Sequence, residues 1–213
     1  MPRENTKIAR DETVKTWRVA REVLAADPTR EQLEDIFERF LGGRLESRYF
    51  EPIRKLNELC YDDGEGFAIV TLYCSIIEFL ASIRTGQNYQ YLDRKSSRKV
   101  RPDEYCDSKR MFVDFLRKQA PFKEVFQTKR DAKDFYKNVR CGLVHEARIK
   151  GNWRIRSKGN SKVAIDVAKK KIYRRLLPDL FSDYIASYKD QFLLSKALQE
   201  SFLRKFDYLC ELH

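Results

Sequence analysis

The chain has 213 residues, 42% of them hydrophobic and 35% charged, which is enough apolar content for one compact body with a sizeable core. Its formal net charge of +11 favours a nucleic acid over an acidic small molecule as partner. Five cysteines without a CxxC pair, and two histidines 68 positions apart, argue against a zinc centre, any other transition-metal site and a disulfide framework, so the expected chemistry uses no metal and no cofactor.

No stretch approaches the roughly 20 apolar residues that cross a bilayer. Met1 to Glu12 alternates charges where a signal peptide needs an apolar run, so a cytoplasmic protein without membrane contact is expected. The charge itself is concentrated. Thirteen of the 39 residues from Lys137 to Arg175 are Lys or Arg, against Glu146 and Asp166 alone, so this tract carries the whole formal net charge and the other 174 residues balance.

Only 8 glycines and 6 prolines interrupt apolar residues that recur at three- and four-residue intervals, which predicts a mainly α fold. Val14, Trp17, Val19, Val23 and Leu24 place a first helix over Asp11 to Ala26. Thr29 has the character of an N-cap for a second helix carrying Leu33, Ile36, Phe37, Phe40 and Leu41, with Gly42-Gly43 as its stop. A third helix runs from Ser47 to Cys60. Between Gly64 and Gly86 almost no polar face is left, so this helix is expected at the centre of a bundle. Glu78 in its middle must be paired, hydrogen-bonded or protonated, either as a structural partner for an Arg or Lys or in a direct catalytic role.

Gln87 to Asp107 reads as a mobile basic loop, after which helix resumes over Ser108 to Gln119 and a short turn forms near Val125-Phe126. From Lys129 to Ala147, Ala132, Phe135, Val139 and Leu143 share one helical face, with Tyr136, Arg140 and His145 towards its flank. Beyond Gly151 the period switches to two. Trp153, Ile155 and Ser157, then Val163, Ile165 and Val167, predict a two-stranded β-hairpin over 152–167 that turns at Lys158-Gly159-Asn160-Ser161. Two or three helices follow from Lys169, with Pro178 in the first turn of the second. Residues 1–62 read as an N-terminal helical extension packed on a body formed by 63–213.

Within the basic tract, Arg140-Cys141-Gly142-Leu143-Val144-His145 sets a permanent cation and a titratable imidazole five residues apart. A regular helix puts them roughly 140° apart. Convergence on one pocket therefore needs the helix to loosen or end near His145, where Gly142 and Gly151 permit it. The words from Phe135 to Glu146, preceded by the apolar helix with Ser75-Ile76-Ile77-Glu78-Phe79-Leu80, resemble the HEPN superfamily, whose members are small helical bundles marked by an R-x4-6-H motif near the end of a late helix. The likeness covers Gly64 to Ala147. It implies an HEPN-like helical bundle, with the hairpin after the motif helix, acting as a metal-independent RNA endonuclease in a toxin or antiviral defence role. Arg140 and His145 become the catalytic pair, in a homodimer that brings two motifs together, with an antitoxin or regulatory protein as a further partner. The alternative is a non-catalytic HEPN-like nucleic-acid-binding or regulatory module. Cys141 follows the arginine where the family often has Asn, Asp or His, and Asn138 is the nearby substitute.

The chemistry fits the residue types. RNA cleavage without a metal uses the neighbouring 2′-hydroxyl as nucleophile and needs a base, an acid and a cation for the developing phosphate charge. Histidine exchanges a proton near neutrality and arginine binds phosphate oxygens through its planar fork. Two copies supply two imidazoles and predict a 2′,3′-cyclic phosphate and a 5′-hydroxyl. Tyr136 orients phosphate or packs an interface, and Glu78 holds Arg140. Trp153 stacks on a base or anchors the hairpin. His145 itself has a plain alternative, a cation placed favourably at a helix C-terminus. Lys137, Arg148, Lys150, Arg154, Arg156 and Lys158 are the expected backbone contacts.

Overall fold

The computed structural model describes residues 4–59, 64–93, 98–157 and 162–212. The fold is mainly α with a small β element, as the periodicity predicts. Thr13 opens α1 (Val14–Ala25): its hydroxyl accepts from the backbone N–H of Thr16 while the Thr16 hydroxyl accepts from that of Thr13, which satisfies two donors that a helix start leaves orphaned. Thr29 and Gln32 open α2 (Arg30–Ile36) in the same way.

Gly42-Gly43 does not stop that helix. The rod continues through a π turn at Phe37–Gly42, α3 (Gly43–Leu45), a second π turn at Glu46–Phe50 and α4 (Glu51–Glu58). Both glycines are right-handed helical, whereas a glycine stop needs the left-handed conformation. At position 42 a Cβ would lie 2.9 Å from the Glu38 carboxylate, which pairs with Lys189, so a larger residue would only displace the end of that exposed side chain. The helix expected from Ser47 is thus the end of the preceding one, and Cys60 lies outside the described residues.

α5 (Glu65–Thr85) buries Ile69, Val70, Tyr73, Cys74, Ile76, Ile77, Leu80, Ala81 and Ile83, yet it keeps an open stripe with Phe67, Ala68 and Ser75 exposed and Glu78 half-buried. Contrary to the reading that no such stretch exists, it is long and apolar enough to cross a bilayer, and 56% of its apolar window is buried inside the protein. β1 (Asn88–Tyr89) and β2 (Glu104–Tyr105) then pair in parallel. Buried Glu104 accepts from the Arg98 side chain and the Arg101 backbone, so the described part of the expected basic loop is organised round one carboxylate.

α6 (Ser108–Lys118), α7 (Phe122–Val125), α8 (Lys129–Phe135), a π turn at Tyr136–Arg140 and α9 (Cys141–Glu146) follow. The two-stranded hairpin is replaced by a three-stranded sheet in which β5 (Lys171–Tyr173) lies between β3 (Arg154–Arg156), parallel to it, and β4 (Ile165–Asp166), antiparallel. Ile172 is the reason: fully buried, it stands beside Ile155 and Ile165 in the register and supplies the central apolar side chain. Lys169 to Tyr173 is therefore not helical. α10 (Leu177–Leu194), with Pro178 in its first turn, and α11 (Lys196–Leu209) close the fold.

The chain forms two compact units, each assembled from separated segments rather than divided once near residue 62. One comprises 1–52, 79–108 and 188–213; the other comprises 53–78 and 109–187. The first is centred on Trp17, whose ring lies 5.0 Å from those of Phe40 and Phe206 and whose Nε1 donates to Asp207. The second is centred on Phe115, Phe122, Phe181 and Tyr184, with ring centroids 4.9–5.7 Å apart. Thr29→Ala is expected to lower the stability of the first unit by about 1 kcal/mol, with Thr29→Asp close to wild type, as measured by chemical denaturation.

Candidate functional site

The motif helix belongs to the second unit. Thr128 caps α8 by accepting from the Asp131 N–H, and α8, the π turn and α9 continue as one rod. It ends at Glu146, with Ala147 in the left-handed region at φ +50° and the N–H groups of Ala147 and Arg148 both donating to the Gly142 carbonyl. Gly142, contrary to the expectation from its sequence position, does not loosen the helix, which stays regular through Glu146, so Arg140 and His145 remain roughly 140° apart round the axis and do not converge within one chain. Gly142 lets the chain fold back, because a Cβ there would lie 2.4 Å from the Arg148 carbonyl oxygen.

Arg140 Nη2 donates to Glu78 Oε2 at 2.9 Å, and the two side chains are only 18% and 19% exposed. The guanidinium sits 5.5 Å from the Tyr136 ring centroid, and that ring meets Phe112 edge-on at 5.3 Å. Burial works against the arginine charge, but the Glu78 carboxylate outweighs it and holds the proton above the ordinary range. Burial likewise pushes the Tyr136 hydroxyl up to about 12 and the thiol of buried Cys74 up to about 12, despite the nearby Arg140 charge. The structure thus brings Arg140, Glu78 and Tyr136 into contact. The other guanidinium donors of Arg140 have no hydrogen-bond partner among the described residues. His145 is exposed, and among the described residues its ring has none.

Asn138 stands apart from this group. Its side chain donates to Asp134 at 2.8 Å, its carbonyl takes the Lys150 N–H at 2.9 Å, and its amide fills the space where Gly151 lacks a Cβ. It shapes the turn after the motif and does not stand in for a residue beside Arg140. Trp153 is 4% exposed, donates to Asp134 at 2.8 Å and meets Phe135 edge-on at 5.2 Å. It is the anchor of the sheet, and its ring is not open to stack on a base. Asp134 also takes Lys170 at 3.3 Å. Burial opposes its ionisation, but the bonds from Trp153, Lys170 and Asn138 hold its carboxyl below the usual range.

Much of the basic tract is engaged inside the chain. Arg140 pairs with Glu78, Arg148 and Lys150 with Glu146, Lys169 with Asp166, Lys170 with Asp134, and buried Arg174 with Glu65. Lys137, Arg154 and Arg156 remain exposed, and Lys158 lies outside the described residues. Sequence reasoning missed a different concentration of charge. Lys109 of α6, Lys129, Arg130 and Lys133 of α8, and Lys137 line a cleft of about 420 Å³, with Asp134 as its one carboxylate. The i, i+4 repeat of Lys129, Lys133 and Lys137 is the signal that could have revealed it.

Among the described residues no group of three or more His, Cys, Asp or Glu is placed to hold a metal ion. Comparison with protein-family models, characterised proteins and solved structures finds no match to this chain.

Two measurements check this geometry. Glu78→Ala leaves a largely withdrawn guanidinium without its carboxylate and is expected to cost about 2 kcal/mol, with the Glu78→Ala/Arg140→Ala pair costing less than the sum of the single changes in denaturation experiments. Asp134 has a depressed folded pKa, so its contribution is present above the unfolded carboxylate value of about 3.9 and is lost as pH falls through the folded one. In thermal unfolding followed against pH, Asp134→Asn is therefore expected to be less stable than wild type near neutrality and to show a shallower decline on acidification.

Proposed function

We propose that this protein is an HEPN-like, metal-independent RNA endonuclease, acting in the cytoplasm as a homodimer in a toxin or antiviral defence role. The observation that carries the reading is the contrast within one six-residue word. Arg140 is held by Glu78 with guanidinium donors to spare, and His145, five positions on, is exposed with no hydrogen-bond partner among the described residues. A half-buried arginine fixed by a carboxylate is a directed donor for a phosphate oxygen. An unengaged imidazole is free to exchange a proton with a substrate hydroxyl.

On this reading one imidazole takes the proton of the RNA 2′-hydroxyl, and that oxygen attacks the adjacent phosphorus. The 5′-oxygen leaves with a proton from the second imidazole, while the arginines stabilise the charge on the phosphate oxygens. The products are a 2′,3′-cyclic phosphate and a 5′-hydroxyl. Among the described residues each chain supplies one histidine, and on this reading the second comes from a second copy. Val144, next to His145, is 48% exposed, an apolar side chain at the place the second copy would cover.

A second reading, a non-catalytic nucleic-acid-binding module of the same kind, is favoured by the commitment of Arg140 to Glu78 and Tyr136 beside Cys141. Purified wild type and His145→Ala incubated with RNA in EDTA separate the two. Wild type is expected to cut, leaving a cyclic phosphate, and the variant to lose at least about 100-fold in rate. Equal cleavage by both proteins removes the assignment, and binding without cleavage by wild type selects the second reading.

A further inference from the structure

We propose that the cleft lined by Lys109, Lys129, Arg130, Lys133 and Lys137 binds the phosphate backbone of single-stranded RNA and leads it along the motif helix towards His145. The inference rests on the endonuclease reading for the identity of the strand and adds the track on which it lies.

Three observations support it. First, the chain pairs many of the cations of the basic tract with acids, yet among the described residues none of these five side chains makes a hydrogen bond or an ion pair. The one carboxylate in the lining, Asp134, is committed to Trp153, Lys170 and Asn138. Five like charges thus converge without an ion pair, an arrangement that repels itself and that gains when it neutralises phosphates and releases the counterions condensed on a polyanion.

Second, Lys129, Lys133 and Lys137 follow one another at i, i+4, a rise of about 6 Å per step. That is comparable with the step between successive phosphates of an extended strand. The lining residues are all ionisable and include no aliphatic or aromatic anchor of the kind a protein partner buries at its centre, although the wall between their charged tips is mostly aliphatic stem. The chemistry fits a phosphate chain better than an acidic polypeptide.

Third, the π turn links this row to the motif. In an uninterrupted α-helix His145 would lie about 160° round the axis from Lys129. The turn at Tyr136–Arg140 closes its hydrogen bonds over one more residue and takes back about 100°, leaving about 60°. The lysine row and the exposed imidazole therefore share one side of the rod.

The test is binding of a labelled single-stranded RNA oligonucleotide to the His145→Ala protein, which on the endonuclease reading binds without cutting, with and without Lys129→Gln, Lys133→Gln and Lys137→Gln together. The triple change is expected to weaken affinity about 10- to 100-fold near physiological salt and to lower the slope of log affinity against log salt by about 2, since each phosphate left without its lysine takes away roughly 0.7. Its unfolding midpoint is expected to equal or exceed that of the parent, because a repelling row is removed. Should the triple variant fail to fold, Lys133→Gln alone is expected to lower the slope by about 0.7. Unchanged affinity, or weaker binding at an unchanged slope, overturns the proposal. Competition by polyglutamate as effective as by RNA of equal charge overturns it in favour of an acidic polypeptide. Cleavage by wild type together with undiminished binding by the cleft variant removes the cleft and leaves the endonuclease. Loss of binding in the cleft variant without any cleavage by wild type removes the endonuclease and leaves the cleft.

Discussion

One extra residue, absorbed in the π turn at Tyr136–Arg140, sets the phase of the whole motif helix. Phe135, Val139 and Leu143 recur every four residues, and in a pure α-helix each such step drifts about 40° round the axis. The turn removes that drift where it would matter, so all three side chains stay buried. The same correction brings Arg140 to Glu78, while Lys129 and Lys133 precede the turn and reach solvent without it. Single π turns often occur at functional sites because they re-aim side chains without breaking the helix. Here the re-aiming serves the core and the arginine at once.

Electrostatic compensation then divides the basic residues into two populations. Arg140, Arg148, Lys150, Lys169, Lys170 and Arg174 are consumed by carboxylates of the chain, and the most buried of these pairs, Arg174 with Glu65, is nearly sealed at 3% and 7% exposure. A withdrawn charge left alone is strongly disfavoured, so the pairs of Arg174 with Glu65 and Arg140 with Glu78 are conditions of folding, whereas Arg148 and Lys169 are exposed and their pairs add little stability. Lys137, Arg154 and Arg156, together with the cleft residues, are the population still open to a partner. Net charge along the sequence counts both populations alike, which is why the tract from Lys137 to Arg175 overstates what its own surface offers.

The parts of the fold legible in the sequence are those decided locally. Thr29 announces a helix start because capping needs only the next three residues, and Arg154 and Arg156 point outwards because strand period alone alternates them. The parts that were not legible depend on interactions distant in sequence. Gly42-Gly43 has the composition of a stop, but a glycine pair in right-handed conformation within a continuing helix has the same letters. Lys171-Ile172-Tyr173 sits in a basic run whose strand character comes from Ile155 and Ile165 on either side. The pairing of Glu78 with some cation was legible from the cost of burying a lone carboxylate. The cleft was not, because Asp131 and Asp134 dilute the lysines in sequence while turning to Thr128 and Trp153 in space.

The pairing of Arg140 with Glu78 bears on the proposed chemistry through entropy as well as charge. A free arginine side chain loses on the order of 2 kcal/mol of rotamer freedom when it is fixed on a ligand. Glu78 imposes that ordering during folding, using one Nη group and leaving the remaining donors without a partner among the described residues. On the endonuclease reading a phosphate that reaches Arg140 would meet a guanidinium already held in place, so binding energy is kept for charge that develops at the phosphate rather than for ordering the side chain. His145 is in the opposite condition, exposed and without a hydrogen-bond partner among the described residues. The rigid arginine and the unrestrained imidazole follow from their places on one rod: Arg140 lies in the π turn that faces Glu78 of α5, and His145 lies in the last turn, where the chain folds back over Gly142.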